Sequence, residues 1–261
     1  MTRRTERRPW LTGSFLDRLP EAARDELLRL GSPATFPGRH VLVREGDPGS
    51  AVYLLLDALV KVTALAENGS RTLLSIRAAG DVVGETAAFE DCPRTATVTT
   101  CRRSLVCVVK GPVFTAHLAR APEVAAALNR VTIDRLRFAN RRRLDFAGYE
   151  ADVCLARILV DLAVRHGRPH RAGVDVGVPV TQAELGELVG IRERTVQKAM
   201  HDLSARGLVL QRHRGVVVRD MAGLTAFAGL SPGRPAPPAV RLEAAPTRVP
   251  DPSPPGGAGQ P

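Results

Sequence analysis

The sequence is poor in the residues that several specialised scaffolds need. Only 10 of its 261 residues are aromatic, so Leu, Val and Ala must build the core, and a scaffold of stacked aromatic platforms is disfavoured. No run of about 18 consecutive apolar residues exists, and no apolar signal region follows the charged N-terminus. We therefore expect neither a membrane span nor secretion. The few cysteines form no CxxC pair and are expected to be reduced thiols in a cytoplasmic protein; they are Cys92, Cys101, Cys107 and Cys154.

Sequence motifs for catalysis are also missing. The chain has no HExxH motif, P-loop or Rossmann fingerprint and no Ser-His-Asp spacing, so we expect no enzymatic activity and no catalytic residue. The contexts of His40 and His117 are better explained by packing than by metal or haem ligation. No metal site is predicted.

Positive charge is abundant and clustered. The chain has 37 Lys and Arg against 27 Asp and Glu, a net charge of +10. Residues 1–8 hold four Arg and one Glu, residues 129–143 hold six Arg and one Asp, and residues 192–219 hold seven basic residues and two acidic ones. Three separate basic clusters favour a polyanionic partner, and nucleic acid is the leading candidate.

Composition and periodicity divide the chain into five segments. Residues 1–13 are predicted to be a flexible basic arm, and residues 231–261, which hold 10 of the 20 prolines, a disordered tail. Between Ala34 and Val109 short alternating strands are separated by Gly-containing turns. This pattern predicts an antiparallel β-barrel or jelly roll within an effector domain at residues 14–121.

A long helix is predicted at residues 122–147, which contain no Pro or Gly after Pro122. Candidate apolar positions step at the 4-3-4-3 spacing of a coiled-coil seam, interrupted by one arginine: Val124, Leu128, Val131, Arg135 and Phe138. We favour a parallel dimerisation helix, with packing against its own barrel as the alternative.

Residues 148–223 are predicted to be a winged helix-turn-helix domain. Thr181 and Glu184 have the spacing of a capping box, Gly190 permits the turn between two helices, and the second helix is predicted over residues 192–206. Its buried stripe is opposite a polar and cationic face, and two short strands follow as the wing. The candidate DNA contacts are Thr181, Gln182, Arg192, Glu193, Arg194, Thr195, Gln197, Lys198, His201, Arg212 and Arg214. A helical pair used only for packing is the alternative.

Two segments then identify a family resemblance. Residues 84–89 (GETAAF) followed by residues 93–98 (PRTATV) resemble the phosphate-binding cassette of the Crp/Fnr superfamily, and Thr181 to Leu203 resembles its DNA-binding helices. The resemblance covers about Leu16 to Met221. It implies an α+β protein in which a cyclic-nucleotide-binding-like jelly roll, a long dimerisation helix and a winged helix-turn-helix follow one another.

The resemblance also implies a function. It is that of a homodimeric transcription regulator that binds double-stranded DNA at a two-fold operator, contacts RNA polymerase and responds to a small effector, with cyclic AMP or another cyclic nucleotide as the candidate. Glycine allows close backbone approach, an arginine fork pairs with phosphate and a carboxylate accepts from a ribose hydroxyl. The predicted effector-binding residues are Gly84, Glu85, Thr86, Arg94, Thr95 and Asn140.

Departures from the family pattern keep other functions open. Thr86 replaces a usual apolar residue, Ala58 a usual glycine, and Ala139 one of the two polar residues that contact the base in cyclic AMP receptors. One alternative is therefore a constitutive regulator with a degenerate pocket, and another is a nucleotide-binding module that acts on a protein partner. Arg192 stands at the usual N-cap Ser, so the operator is expected to differ from that of cyclic AMP receptors. Iron–sulfur sensing is disfavoured, because no cysteine precedes Cys92.

Overall fold

The computed structural model describes residues 10–90, 92–213 and 215–230. Its N-terminal part runs in the order α1 (Glu21–Arg29), β1 (Ser32–Phe36), β2 (Val41–Val43), β3 (Val52–Asp57), β4 (Leu59–Leu65), β5 (Arg71–Ala78), β6 (Val82–Val83), α2 (Thr86–Glu90), β7 (Thr97–Thr100), β8 (Ser104–Val109) and α3 (Gly111–Leu118). There follow α4 (Pro122–Gly148), α5 (Ala151–His166), β9 (Arg168–His170), β10 (Gly173–Asp175), α6 (Gln182–Val189), α7 (Glu193–Ala205), β11 (Val209–Arg212), β12 (Gly215–Val218) and α8 (Met221–Phe227).

The effector domain is a jelly roll of two antiparallel sheets. Their strand orders are β1-β8-β3-β6 and β2-β7-β4-β5, and the sheets do not close into a barrel. The alternating strands turn one set of side chains inward, and these form a buried core that includes Leu55, Val60, Val83, Val98 and Val106. The predicted fold class is confirmed, in the form of two open sheets.

The predicted arm and the predicted tail lie mostly outside the residues that the structure describes. The predicted tail at residues 231–261 and residues 1–9 of the predicted arm lie outside the described residues. Residues 10–13 of that arm contact the effector domain, because the indole N–H of Trp10 donates to the carbonyl of Leu56 at 3.2 Å and the guanidinium of Arg24 lies 4.9 Å from the indole ring centre.

Helix α4 packs along its own effector domain through its first half. Val124, Leu128 and Val131 are at most 6% exposed and belong to the core formed with α1, α3 and β8. As seam residues Val124, Leu128 and Val131 are therefore wrong, because the chain's own jelly roll covers them, while dimerisation through α4 stays a prediction. The 4-3 spacing correctly marked an apolar face, but it could not tell which neighbour covers that face. The exposed apolar residues on α4 are Ile133, Leu136, Leu144 and Phe146.

The C-terminal domain surrounds a single core with helices and a small sheet of order β11-β12-β10-β9. Leu155 and Leu159 of α5 pack with the stripe of α7 that the sequence predicted, Val196, Ala199, Met200 and Leu203. Helix α8 packs on α5 and continues beyond residue 223, the predicted boundary. No helix in the described ranges is long and apolar enough to cross a membrane.

Candidate effector cavity and DNA-contacting surface

A cavity of about 740 Å³ lies between the effector domain, α4 and the C-terminal domain. This volume is within the range of ordinary ligand sites. Strands β4 and β5, the cassette, the second half of α4 and the end of α6 all contribute walls. Five of the six predicted effector residues line it together, namely Gly84, Glu85, Thr86, Arg94 and Thr95.

Gly84 directly follows β6 and has a positive φ of 82°. A Cβ atom there would lie 2.9 Å from the carbonyl oxygen of Ala51 and 2.9 Å from Nη1 of Arg94. Both the backbone conformation and the close approach therefore require glycine. This glycine lets the chain turn from β6 into α2 beside the arginine.

Arg94 is held by backbone carbonyls. The residue is 7% exposed, and its Nη1 and Nη2 donate to the carbonyl oxygens of Gly84 and Ala51, each at 2.8 Å. A guanidinium has five N–H groups, so three remain for other acceptors. The two carbonyl bonds fix the plane of the fork, and no carboxylate neutralises its charge among the described residues.

Glu85 is paired with Arg135 of α4. Nη1 of Arg135 donates to Oε1 of Glu85 at 2.7 Å, and its Nη2 donates to the carbonyl of Val82 at 2.7 Å. The same Nη2 lies 3.7 Å from Oδ1 of Asp81. Glu85 therefore has one carboxylate oxygen still available to accept from a ligand. Arg135 is a site residue that the sequence patterns did not indicate, because it interrupts the apolar 4-3 spacing of α4. A charged residue at an inward position of a helix was the available signal.

Asn140 lies away from the other predicted effector residues. It is exposed on α4 and is not part of this chain's cavity, whereas the neighbouring Ala139 lines it. On the helix, Asn140 shares a face with the exposed Ile133, Leu136 and Leu144, at steps of 3 and 4.

The cavity wall is strongly cationic. Burial lowers the pKa of Arg77 to about 10, helped by the neighbouring charge of Arg135. Burial also lowers the pKa of Arg142, whose Nη1 donates to the carbonyl of Leu74 at 3.0 Å.

The same cavity touches the helix-turn-helix. Residues 187–190, at the end of α6, form part of its wall, and Gly190 packs against the ring of Phe146. Nζ of Lys61 on β4 lies 2.5 Å from Oε1 of Glu184, and the backbone N–H of Leu73 donates to Oε2 of Glu187 at 2.6 Å. The first helix of the DNA-binding motif is thus tied directly to the effector sheet.

The local geometry of the helix-turn-helix agrees with the sequence. The hydroxyl of Thr181 accepts from the backbone N–H of Glu184, whose carboxylate accepts from the N–H of Thr181, so the capping box is complete. Gly190 ends α6 in the left-handed conformation with φ of 80°, which a side chain would strain. Arg192 is the N-cap of α7 and makes no capping bond.

Most of the predicted DNA contacts are exposed side chains of α7 and of the start of α6. The predicted contacts that are exposed on α7 and its N-cap are Arg192, Glu193, Arg194, Thr195, Gln197, Lys198 and His201. A groove of about 590 Å³ brings Thr181, Gln182, Glu193 and Arg212 together between the two helix starts and the wing. Arg212 also pairs with Asp175 at 3.0 Å, which partly neutralises it. Arg214 lies outside the described residues.

Comparison with known protein families matches both halves of the chain. Residues 33–121 match the cyclic nucleotide-binding domain, and residues 155–227 match the Crp-like helix-turn-helix domain. A cyclic nucleotide-binding domain followed by a Crp-like helix-turn-helix domain defines a class of transcription regulator. The chain belongs to the Crp/Fnr family of that class.

Individual relatives agree with this assignment. The chain is 31% identical over 188 residues to the CRP-like cAMP-activated global transcriptional regulator of Mycobacterium tuberculosis, covering 72% of this chain and 84% of that protein. The structure of the c-di-GMP responsive global regulator CLP of Xanthomonas campestris has a TM-score of 0.67 and 22% identity, covering 77% of this chain and 100% of that one. TTHB099, a CRP-family transcriptional regulator of Thermus thermophilus, has a TM-score of 0.64 and 24% identity, covering 75% and 96%. At these identities the two structures show the shared fold alone.

Proposed function

We propose that this transcription regulator binds a cyclic nucleotide in the cavity and a two-fold DNA operator as a homodimer. One observation carries the proposal: the cavity is lined both by the cassette residues and by the end of α6. An occupant therefore contacts the effector domain and the DNA-binding domain at once. A ligand that fits one relative orientation of the two domains better than another shifts the population toward it.

Within the cavity each cassette residue has a defined role. Arg94 donates its remaining N–H groups to the cyclic phosphate, Gly84 leaves room for it, and the free oxygen of Glu85 accepts from the ribose hydroxyl. Thr86 and Thr95 supply hydroxyl groups at the cavity wall. The name of the mycobacterial relative, a cAMP-activated regulator, supports cyclic AMP as the first ligand to test.

At the DNA surface, α7 enters the major groove with its exposed face. Arg194 is the residue proposed for direct guanine recognition, since a guanidinium bonds both acceptors of guanine. Arg192, Lys198 and Arg212 supply phosphate contacts, which add affinity without sequence preference. Thr181 and Gln182, at the start of α6, face the DNA backbone.

The homodimer is proposed to form through the exposed apolar face of α4 that carries Ile133, Leu136 and Leu144. Asn140 lies on this face and would then approach the partner subunit's cavity. The protein acts in the cytoplasm, contacts RNA polymerase as an activator or repressor, and catalyses no reaction. These roles agree with a family of transcription regulators.

The test has two arms. Selection of bound duplexes from a random pool is expected to return a two-fold motif. Arg194→Ala is expected to relax specificity at one base pair in each half-site. Lys198→Ala is expected to weaken binding to all sequences equally. In thermal unfolding, cyclic AMP or cyclic GMP at 100 times its dissociation constant is expected to stabilise the protein by about 2.7 kcal/mol. Arg94→Lys keeps the charge but loses the planar fork, and it should reduce this stabilisation.

A constitutive regulator is the second candidate, favoured by one observation. Both terminal nitrogens of Arg94 are already bonded to carbonyls, so the cassette is stable without a ligand. For this candidate no nucleotide raises the melting temperature, and the protein binds its selected operator with full affinity alone. Loss of all sequence preference at every salt concentration would instead contradict both candidates.

A further inference from the structure

We propose that Arg157 is a positioning residue for DNA binding: it holds the junction between α4 and α5 at one angle and so fixes the orientation of the DNA-binding domain on the long helix. Arg157 lines neither the cavity nor the groove at the DNA-contacting surface. The inference rests on the proposed function, because it concerns how two subunits present their recognition helices to a two-fold operator.

The junction between the two helices is only two residues long. Helix α4 ends at Gly148 and α5 begins at Ala151. Between them Tyr149 and Glu150 are both extended, with ψ of 156° and 157°. The first half of α4 belongs to the core of the effector domain, whereas α5 belongs to the core of the DNA-binding domain. Rotation about the backbone of either junction residue would re-aim the whole DNA-binding domain, so contacts across the junction decide its angle.

Arg157 makes contacts on both sides of this junction. Its Nη1 donates to Oδ1 of Asp145, in the last turn of α4, at 2.6 Å. The guanidinium carbon lies 3.9 Å from the ring centre of Tyr149, the first residue of the junction. Its Nε donates to the carbonyl oxygen of Ala228, at the C-terminal end of α8, at 2.9 Å. One side chain of α5 thus joins the end of α4, the junction and a second helix of the DNA-binding domain.

This set of contacts is buried and suits arginine in particular. The side chains of Arg157 and Asp145 are 13% and 14% exposed, so solvent screens their attraction less than that of a surface pair. A guanidinium is planar and donates in fixed directions, so its edge can bond a carboxylate and a carbonyl while its face covers an aromatic ring. The three contacts together are therefore compatible with one geometry of the junction.

The last turn of α4 contacts α5 a second time. Sγ of Cys154, in the first turn of α5, lies 3.2 Å from the carbonyl oxygen of Asp145, and the backbone N–H of Tyr149 donates to the same oxygen at 3.0 Å. Asp145 therefore holds the junction through both its carboxylate and its carbonyl. This attachment is separate from the docking of α6 on β4 and β5, which involves Glu184 and Glu187.

A fixed junction matters when two half-sites must be bound together. Two recognition helices that enter successive major grooves are held about 34 Å apart, one helical turn of DNA. If each junction moved freely, binding to both half-sites would have to order it first, and that ordering would lower the affinity. A single half-site makes no such demand, since one recognition helix can bind at any angle of the junction. Arg157 is therefore expected to matter for paired half-sites and not for single ones.

The experiment measures binding of the full chain to three duplexes. They are the two-fold operator returned by selection from a random pool, a duplex with one of its half-sites, and the operator with one base pair inserted between the half-sites. The added base pair turns one half-site relative to the other by about a tenth of a helical turn. The wild type is expected to prefer the original spacing by about 10-fold or more.

Arg157→Met removes all three polar and ring contacts of the guanidinium. It is expected to weaken binding to the operator by about 10-fold and to the half-site by less than about 2-fold, and to reduce the preference for the original spacing to about 3-fold or less. Arg157→Lys keeps the charge but has no planar fork, so it should fall between the wild type and Arg157→Met. Arg102→Met is the matched control, because Arg102 forms a similar ion pair with Asp57 inside the effector domain.

Hydrogen exchange of the full chain without DNA gives a second readout. The amides of Tyr149 and Cys154 bond across and just after the junction, and they are expected to exchange at least about 5-fold faster in Arg157→Met. The amide of Val196, in α7, should exchange as in the wild type. Tyr149→Leu removes only the ring contact, and it provides both tests if Arg157→Met does not fold.

The outcomes separate this inference from the proposed function. Equal weakening of operator and half-site in Arg157→Met would overturn the inference, because a general loss of folded protein weakens both. An unchanged preference for the original spacing would also overturn it, and the proposed function would stand. If the wild type selects no two-fold motif, the proposed function fails and hydrogen exchange decides the inference. Faster exchange at the junction in Arg157→Met would then support it, and unchanged exchange would overturn it.

Discussion

Nζ of Lys61 in the effector domain lies 2.5 Å from Oε1 of Glu184 in the DNA-binding domain. The other carboxylate oxygen of Glu184 accepts from the backbone N–H of Thr181 at 2.8 Å and closes the capping box of α6. The carboxylate of Glu184 thus takes part in capping α6, the first helix of the helix-turn-helix, and also forms an ion pair with β4. A displacement of β4 would therefore act directly on the start of this helix.

The Lys61–Glu184 pair is expected to stabilise the docking of the two domains. The two side chains are only 18% and 24% exposed, so their coupling should exceed that of a surface pair. A double-mutant cycle with Lys61→Met and Glu184→Gln, which keeps the capping geometry, is expected to give a coupling energy of about 1 kcal/mol or more in chemical unfolding. The more exposed pair Asp161–Arg165 on α5 is the control, expected at about 0.3–0.5 kcal/mol. Equal coupling in both cycles would contradict the prediction.

The Thr181 cap is expected to contribute separately. Thr181→Ala removes the acceptor of the N–H of Glu184 and should lower the free energy of unfolding by about 1 kcal/mol. Thr181→Ser retains the hydroxyl and should remain close to the wild type. Chemical denaturation measures both variants, and an Ala variant as stable as the Ser variant would show that the hydroxyl adds nothing.

Local sequence signals predicted local structure well. The capping box, the turn glycine Gly190 and the buried stripe of α7 each depend on a few neighbouring residues, and each is present in the structure. The strands of the jelly roll were recognisable by alternation and turn residues. These features depend on backbone chemistry within one or two turns of chain.

Long-range relationships were not readable from the sequence. Helical periodicity marked Val124, Leu128 and Val131 as apolar, but whether a partner or the chain's own jelly roll covers them depends on residues far away in sequence. Arg135 was missed because its partner Glu85 is 50 residues distant. The contact of α6 with β4 and β5 depends on how two domains dock, and no motif in either domain encodes it.

Neutralising Asp175 is expected to strengthen DNA binding. Its Oδ2 lies 3.0 Å from Nη1 of Arg212, a predicted phosphate contact, and its Oδ1 accepts from the N–H of Gly177 at 2.7 Å. Asp175→Asn keeps an oxygen for Gly177 and releases Arg212 from its counter-ion. We expect tighter binding to random duplex DNA. The plot of log binding constant against log salt concentration should become steeper by about 1 per subunit. Asp161→Asn makes the same charge change on α5 and should leave the slope unaltered; a matching increase there would mean that net charge alone is responsible.

The stability of the protein is expected to fall in mild acid because of His166. Burial lowers the pKa of His166 to about 4, helped by the charge of Arg165 and, more weakly, Arg77, while Asp81 opposes the shift. In the unfolded chain the imidazole has its ordinary pKa of about 6.5. Between pH 6.5 and pH 4 the unfolded chain therefore binds a proton that the folded protein does not bind. The stabilisation is therefore complete above pH 6.5 and is lost as the pH falls toward 4. It amounts to roughly 3 kcal/mol at most.

The measurement is urea unfolding at pH 7.5 and pH 4.5 for the wild type and for His166→Gln, which stays neutral. Carboxylates affect both proteins alike, so the difference between them reports His166. The wild type should lose more stability than the variant between the two pH values. Parallel losses would show that His166 is not held neutral in the folded state.

The exposed face of α4 is expected to hold the dimer together. Leu136 and Leu144 are 60% and 71% exposed, and with Ile133 they form a stripe that water would otherwise solvate. A single Leu136→Glu substitution places a charge at the centre of that stripe, where two copies would repel each other across the two-fold axis. Sedimentation of the full chain at micromolar concentration is expected to show a shift from dimer to monomer for this variant, together with weaker binding to a two-fold operator.

Leu65→Glu is the matched control. Leu65 is also an exposed leucine, at 56%, but it lies at the end of β4 and outside the stripe. The control should sediment as the wild type does. Asn140→Leu should act in the opposite direction, because an amide in an apolar helix seam lowers stability while fixing register. If Leu136→Glu remained dimeric while Leu65→Glu dissociated, the subunits would instead meet through the effector sheets, and α4 would have no part in holding them together.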